Sequence, residues 1–409
     1  MEGKIEQNNR RYLYRILCVL TVASTLLPVT RGSIMGGGIV AEWAARVTEL
    51  AMAPLQLFPT AETLAKTGIL VNAMNSNVWF FFMGFLYRLT GNLVLAYRIY
   101  MLAIQVGTFL FSKLFFERFF GDKKTKFPAF FGILLYMTNP YRIYVCYDYA
   151  NLSIATAWMV LPLYAWAVLG LIRKDGSVWR NLIIGAIALA GVGYADAIIF
   201  LIMLGVTLLA ILYFRTLLPA VAAAAGGVLF LPGLYRLIQY LFTDAYQELN
   251  LSVQSIMSKG YRIGQFFSTY AFRDGHPGMG MGMMICLLAG LWLCFVGVKG
   301  KSLRREGFFA GVAIIFLFLS TRYFPWDVAQ RLGSWALKLV GLINAPTVFG
   351  GIAWGCLCIP AAASVESLSD YENKIVAFAV PLFVLFICLG VCVLQCNILI
   401  DSRVPLALP

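Results

Sequence analysis

Uncharged apolar runs recur along residues 13–395, each closed by a short polar or basic gap. About twenty such residues in a row cross the hydrocarbon of a bilayer as a helix. Inside hydrocarbon every backbone amide needs an internal partner, which leaves only helices or a closed barrel. Barrel strands would read as segments of about ten residues with alternating polarity, and these runs do not alternate. Of the 409 residues, 61% are hydrophobic and 12% charged, against about 25% charged in soluble domains. The expected fold is therefore all-α, a polytopic transmembrane helical bundle of about eleven spans, with interfacial helices in its outer loops.

The basic residues set the expected topology. A net charge of +13 would suit nucleic acid, but Lys and Arg fall mainly in the gaps between apolar runs. That placement points to membrane lipids as partners and away from nucleic acid. Residues 1–12, with Lys4, Arg10 and Arg11, read as a cytoplasmic amino-terminal segment. Residues 13–28 show no clear small-residue cleavage site and read as an uncleaved first span. Residues 13–396 form a single transmembrane domain and 397–409 an outer tail. The outer loops fall at about 30–77, 243–280 and 321–346, opposite the densest basic gaps.

Two of these loops carry helical stripes. Ile39, Trp43, Val47 and Leu50 follow a hinge at Gly36, Gly37 and Gly38, and they suit a helix lying in the interface. Trp326, Val328, Leu332, Trp335 and Leu339 suit another. Residues 78–89 are too few to cross and read as a shallow dip, whereas residues 217–242 read as one span. Nine cysteines lie mostly inside apolar runs, where they pack as small apolar residues. With His276 the only histidine, a zinc site is not expected.

The richest chemistry lies in residues 139–151, NPYRIYVCYDYAN, where one cation and one carboxylate sit among tyrosines between two apolar runs. Asp148 at an apolar boundary is suited to act as a base or to hold a divalent cation; the competing reading pairs it with Arg142. Arg142 suits a lipid-linked phosphate, or else snorkels to headgroups. Arg88, Arg98, Arg236, Arg262 and Arg322 also flank tyrosines, and Arg98 is a second phosphate candidate. Glu42 and Glu49 lie two helical turns apart, either as a catalytic pair or as the solvated face of the interfacial helix. Asp196, after a glycine-broken helix, is a lesser candidate. His276 lies in an Arg273–Pro277 turn, as a base or a substrate contact.

Three stretches carry a resemblance: NAMNSNVWFFFMGFLYRLTGN, NPYRIYVCYDYANLSIATAWMVLPL and STRYFPWDVAQRLGSWALKLVGLINAP. Over residues 12–394 the chain resembles bacterial polytopic membrane proteins of the GT-C glycosyltransferase superfamily, in a branch with a PYR loop and a late FPWD stretch. The resemblance implies sugar transfer from a polyprenyl-phosphate donor at the outer face of the bacterial cytoplasmic membrane, for cell-envelope glycan or lipid modification. It also implies an acid just after the first span and another after the third. Asp148 matches the second, as base or as ligand of Mg or Mn. Residues 29–40 hold no acid, so Glu42 and Glu49 are the nearest to the first. Tyr141, Asn77 and Trp79 lie within the resembling stretches and are expected to touch substrate, with Arg142, Arg98 and His276. The missing early acid favours the alternative, a non-catalytic lipid or polysaccharide transporter or an accessory subunit of envelope-glycan assembly.

Overall fold

The computed structural model describes residues 2–30, 39–60, 75–121, 127–242, 253–268, 275–295, 303–343, 346–369, 371 and 373–402. The glycine hinge at 36–38, Arg273, Asp274 and the tail from 403 lie outside these residues. Among them the fold is all-α, with one isolated bridge, between Tyr261 and Thr321. The chain is a multi-pass membrane protein built as a helical bundle.

The helices run α1 (Glu2–Thr30), α2 (Val40–Met52), α3 (Phe80–Thr90), α4 (Leu93–Phe120), α5 (Phe127–Met137), α6 (Leu152–Arg173), α7 (Val178–Ala195) and α8 (Ala197–Phe214). Then come α9 (Leu218–Leu229), α10 (Leu231–Phe242), α11 (Met281–Phe295), α12 (Leu303–Ser320), α13 (Ser334–Ile343), α14 (Thr347–Ser369) and α15 (Lys374–Ser402). Local signals fix their starts. Asn92, Asn151, Ser177 and Asp196 each cap a helix by accepting from a backbone N–H of its first turn, the role short polar side chains play at N-termini. Gly91, at φ 62°, ends α3 in the left-handed conformation that glycine adopts freely, so α4 can start two residues later.

Seven helices are long and apolar enough to span: residues 12–30 of α1, then α4, α6, α7, α8, α14 and α15. An eighth follows if α9 and α10 count as one. This is fewer than the expected eleven. The 11 residues of α5 and the 15 of α11 are short for a crossing, and α12 opens on Arg304, Arg305 and Glu306. The expected single span over 217–242 is instead bent by 73° between α9 and α10. Pro232, in the first turn of α10, has no N–H to continue the ladder of α9. The stripe expected from Trp326 to Leu339 is also interrupted. Gly333, at φ 106°, breaks it, leaving Val328, Leu332 and Trp335 exposed while Ala336 and Val340 of α13 are buried.

The bundle has two distinct ends. At one, Arg118 of α4 pairs with Asp175 and donates to Trp166 O and Asn181, while Arg173 donates to the carbonyls of Arg118 and Phe119. This basic end gathers the turns after α4, α6 and α8. The other end gathers α2, residues 75–79, the 139–151 loop, Asp196 and residues 275–280.

Candidate functional site

The 139–151 loop is built by its own residues. Asn139 Oδ1 accepts from Tyr141 N at 2.9 Å, and Pro140 takes the first helical position, so a single turn forms over Pro140–Ile143. The next turn, Tyr144–Asp148, is widened: Tyr149 N donates to Tyr144 O at 2.8 Å, five residues back. Ala150 then sits at φ 53°, a left-handed conformation unfavourable for a residue with a Cβ, before Asn151 caps α6. Widened turns and non-glycine residues in that conformation concentrate at functional sites.

Most of the loop's polar groups anchor it. Tyr147 donates to Thr25 O at 2.6 Å and accepts from Gln105 Nε2 at 2.9 Å. Arg142 is 1% exposed; its Nη1 donates to Met137 O at 2.7 Å and its Nη2 to the Gln105 side chain. It therefore turns into the bundle rather than out to headgroups. Tyr141 is buried with its ring 5.6 Å from Trp158. Asp148 ends the widened turn and is also buried. Tyr144 and Tyr149 stack at 5.8 Å beside it.

Against this loop the fold brings acids from distant segments. Helix α2 buries Glu42 and Arg46 as a 2.9 Å ion pair, with Arg46 Nη1 also donating to Asn75 O at 3.3 Å. Trp43 of the same face stacks on Tyr97 of α4 at 5.3 Å. Glu42 is thus no part of a solvated face. Glu49, half-buried, accepts from Thr60 N at 3.2 Å. Burial lowers the Arg46 pKa, while Glu42 and Glu49 raise it and Arg236 lowers it further. Arg236 lies on α10 and covers the Phe58 ring at 4.2 Å.

Asp196 completes the group. Its Oδ1 accepts from Ile198 N and Ile199 N at 3.0 and 2.9 Å, and burial still holds its carboxyl above the ordinary range. Asn75 hydrogen-bonds the same carboxyl and accepts from Ala197 N. Burial, then Glu42, then Asp196 raise the Tyr149 hydroxyl. Both acids therefore lie within electrostatic reach of the residue next to Asp148.

The other candidates have defined places. Asn77 donates to Gln56 O at 3.1 Å, and its backbone N–H reaches Leu57 O. Trp79 donates to Gly191 O at 2.8 Å, tying residues 75–79 to α7. Arg98 is half-buried in the second turn of α4, one residue from the Trp43–Tyr97 stack, and its Nε has no hydrogen-bond partner among the described residues. His276 Nε2 bonds Lys259 O at 2.9 Å, and its ring lies 5.3 Å from Tyr261. Its segment is seated on the loop: an added Cβ at Gly280 would come 2.9 Å from Pro140, and one at Gly275 3.4 Å from the Tyr144 hydroxyl.

Among the described residues no three acid, His or Cys side chains converge as a set for a metal ion. Glu42 is engaged by Arg46, and Asp196 by the start of α8. Among the described residues, a Mg or Mn ion at Asp148 would therefore find no second and third free acid, His or Cys donor beside it.

No protein-family model and no curated protein matches the chain. Among solved structures it is similar to the arabinofuranosyltransferase AftD from mycobacteria, determined by cryo-electron microscopy. The TM-score is 0.52 at 16% identity, covering 98% of this chain and 29% of that one. The chain thus spans under a third of that protein's length. What they share is the fold.

Proposed function

We propose that this protein is a GT-C-type glycosyltransferase of the cell envelope, taking its sugar from a polyprenyl-phosphate donor. One observation carries the reading. In a fold shared with an arabinofuranosyltransferase, acids far apart in sequence, Glu42, Asp148 and Asp196, gather around one aromatic loop at one end of the bundle. The gathered end faces outward and the basic end faces the cytoplasm, in keeping with the placement of Lys and Arg.

In the proposed reaction an acceptor hydroxyl oxygen attacks the anomeric carbon of the donor sugar. The bond from that carbon to the phosphate oxygen breaks on the opposite face, its electron pair leaves with the phosphate, and the configuration inverts. Asp148 takes the hydroxyl proton. It is buried at the end of the widened turn, beside the stacked Tyr144 and Tyr149 rings. Glu42, fixed by Arg46, is the second acid of the site and orients the acceptor. Arg98 and Arg236 meet the donor phosphate, a role for which Arg142 is already committed elsewhere. No step passes through a metal ion.

The test is sugar transfer by the purified protein, using polyprenyl-phosphate-linked pentose and hexose donors. Asp148→Asn is expected to lower turnover by a factor of roughly 10²–10⁴. Turnover equal to the parent would remove Asp148 as the base. A folded parent protein that transfers neither sugar class would overturn the enzymatic reading.

A further inference from the structure

A second feature lies toward the basic end, away from the acids. A partly enclosed hollow of about 110 Å³ runs between α4, α6, α8, α12 and α14. Phe115, Trp158, Val206, Phe214, Phe308 and Ile359 are among its walls. Three of its hydroxyls are already partnered: Tyr136 donates to Trp158 O at 2.8 Å, and Tyr164 and Thr207 bond each other at 2.6 Å. Such walls present almost nothing polar to a guest, so the interior suits hydrocarbon.

One charge interrupts this lining. Arg305, in the first turn of α12, is half-buried at the hollow. Among the described residues it makes no hydrogen bond or ion pair. Around it Tyr213 and Phe214 pack on Phe308 at 5.4 and 5.2 Å, the aromatic dressing typical of a membrane interface. A dry slot with a guanidinium at its basic end matches an amphiphile with an apolar chain and an anionic head.

We propose that the hollow binds one acyl chain of an anionic phospholipid, with Arg305 holding the lipid phosphate. The occupant is a bilayer phospholipid and not the sugar donor. Asp196 caps the start of α8, whereas Phe214, at its far end, lies about 27 Å along the axis at 1.5 Å per residue. A donor phosphate held at Arg305 would sit too far from the gathered acids to react there. Bound lipid would bridge α8 and α12, which both line the hollow, and complete the packing of the basic half.

Native mass spectrometry of the full chain in detergent tests this, with dioleoyl phosphatidylglycerol, dioleoyl phosphatidylcholine and undecaprenyl phosphate as probes. The parent is expected to retain one phosphatidylglycerol per chain, about fivefold over phosphatidylcholine, the scale of one arginine facing an anionic headgroup. Arg305→Gln should make the two phospholipids equal, and Ala165→Phe, which fills the hollow from α6, should lose both. Phosphatidylcholine retained as well as phosphatidylglycerol by the parent would overturn the proposal. So would a preference that survives Arg305→Gln, or undecaprenyl phosphate displacing phosphatidylglycerol at equal concentration. Should Ala165→Phe elute aggregated, the Arg305→Gln comparison decides alone.

Discussion

The Glu42–Arg46 pair offers the sharpest test of how the candidate site is built. The two side chains are 4% and 0% exposed and meet at 2.9 Å. Two charges about 4 Å apart at an effective dielectric of 20 attract by ~4 kcal/mol, and the cost of removing both from water offsets much of that gain. Deleting one partner is different, because it strands the other charge. Each of Glu42→Gln and Arg46→Gln is therefore expected to cost about 3–5 kcal/mol of stability. Glu42→Gln should fall at the lower end, since Arg46 keeps Asn75 O and the field of Glu49. In the double variant neither charge is stranded, so its loss should fall short of the sum of the singles by at least about 2 kcal/mol. Unfolding in mixed micelles by titration with SDS, followed by tryptophan fluorescence, measures all four corners of the cycle, with Trp43 on the same helix face as a local reporter. Singles that cost under about 0.5 kcal/mol and simply add would mean two solvated surface residues, and the buried-pair argument would be refuted.

Other consequences follow from single groups. Asp196 binds its proton more tightly in the folded chain than in the unfolded one. Its contribution is therefore most favourable below the ordinary Asp pKa and is lost as pH rises through its raised folded value. Asp196→Asn can keep the cap and should flatten this dependence in unfolding measured from pH 4 to 7; an unchanged slope would contradict it. Arg142→Met strands Gln105 and Met137 O, so a loss of about 2–3 kcal/mol in the same titration is expected, with donor KM unchanged in the folded fraction. A raised KM at full stability would return Arg142 to the substrate. Gly280 holds φ 84° with Pro140 close by, so Gly280→Ala should cost about 1–3 kcal/mol and speed hydrogen exchange at Met279 N, which donates to Phe266 O. Exchange at the parent rate would show that residues 275–280 do not depend on that contact.

Much of the fold was legible because the bilayer imposes a plain code. The apolar runs became helices, and the caps at Asn92, Asn151, Ser177 and Asp196 stand where short polar residues precede them. What escaped was partnership. On α2 the apolar stripe Ile39, Trp43, Val47 and Leu50 leaves Glu42 and Arg46 on the flank, which in one sequence reads as the wet side. In the fold α3 and Tyr97 cover that helix from two directions, and the flank is buried as well. Arg142 reads as a headgroup or phosphate contact because Gln105, its partner, is 37 residues away. Asp196 looked peripheral because its meeting with Tyr149 depends on how α6 and α7 turn back, which no local pattern records.

The break between α9 and α10 shows why site electrostatics could not be assembled from spans alone. A straight helix over 217–242 would keep Arg236 in line with α9, as one more snorkelling cation. The 73° bend at Pro232 carries it aside instead, over Phe58 and within reach of Arg46. The site thereby gains a positive charge from a segment whose composition advertised only a crossing. Two guanidiniums so close would repel each other if nothing stood between them, and Glu42 and Glu49 supply the opposing charge at Arg46. Arg236 stands farther out, on an aromatic ring rather than inside that buried pair. Arg236 is half-buried where Arg46 is fully buried, and so in the proposed reaction it is the cation that meets the donor phosphate.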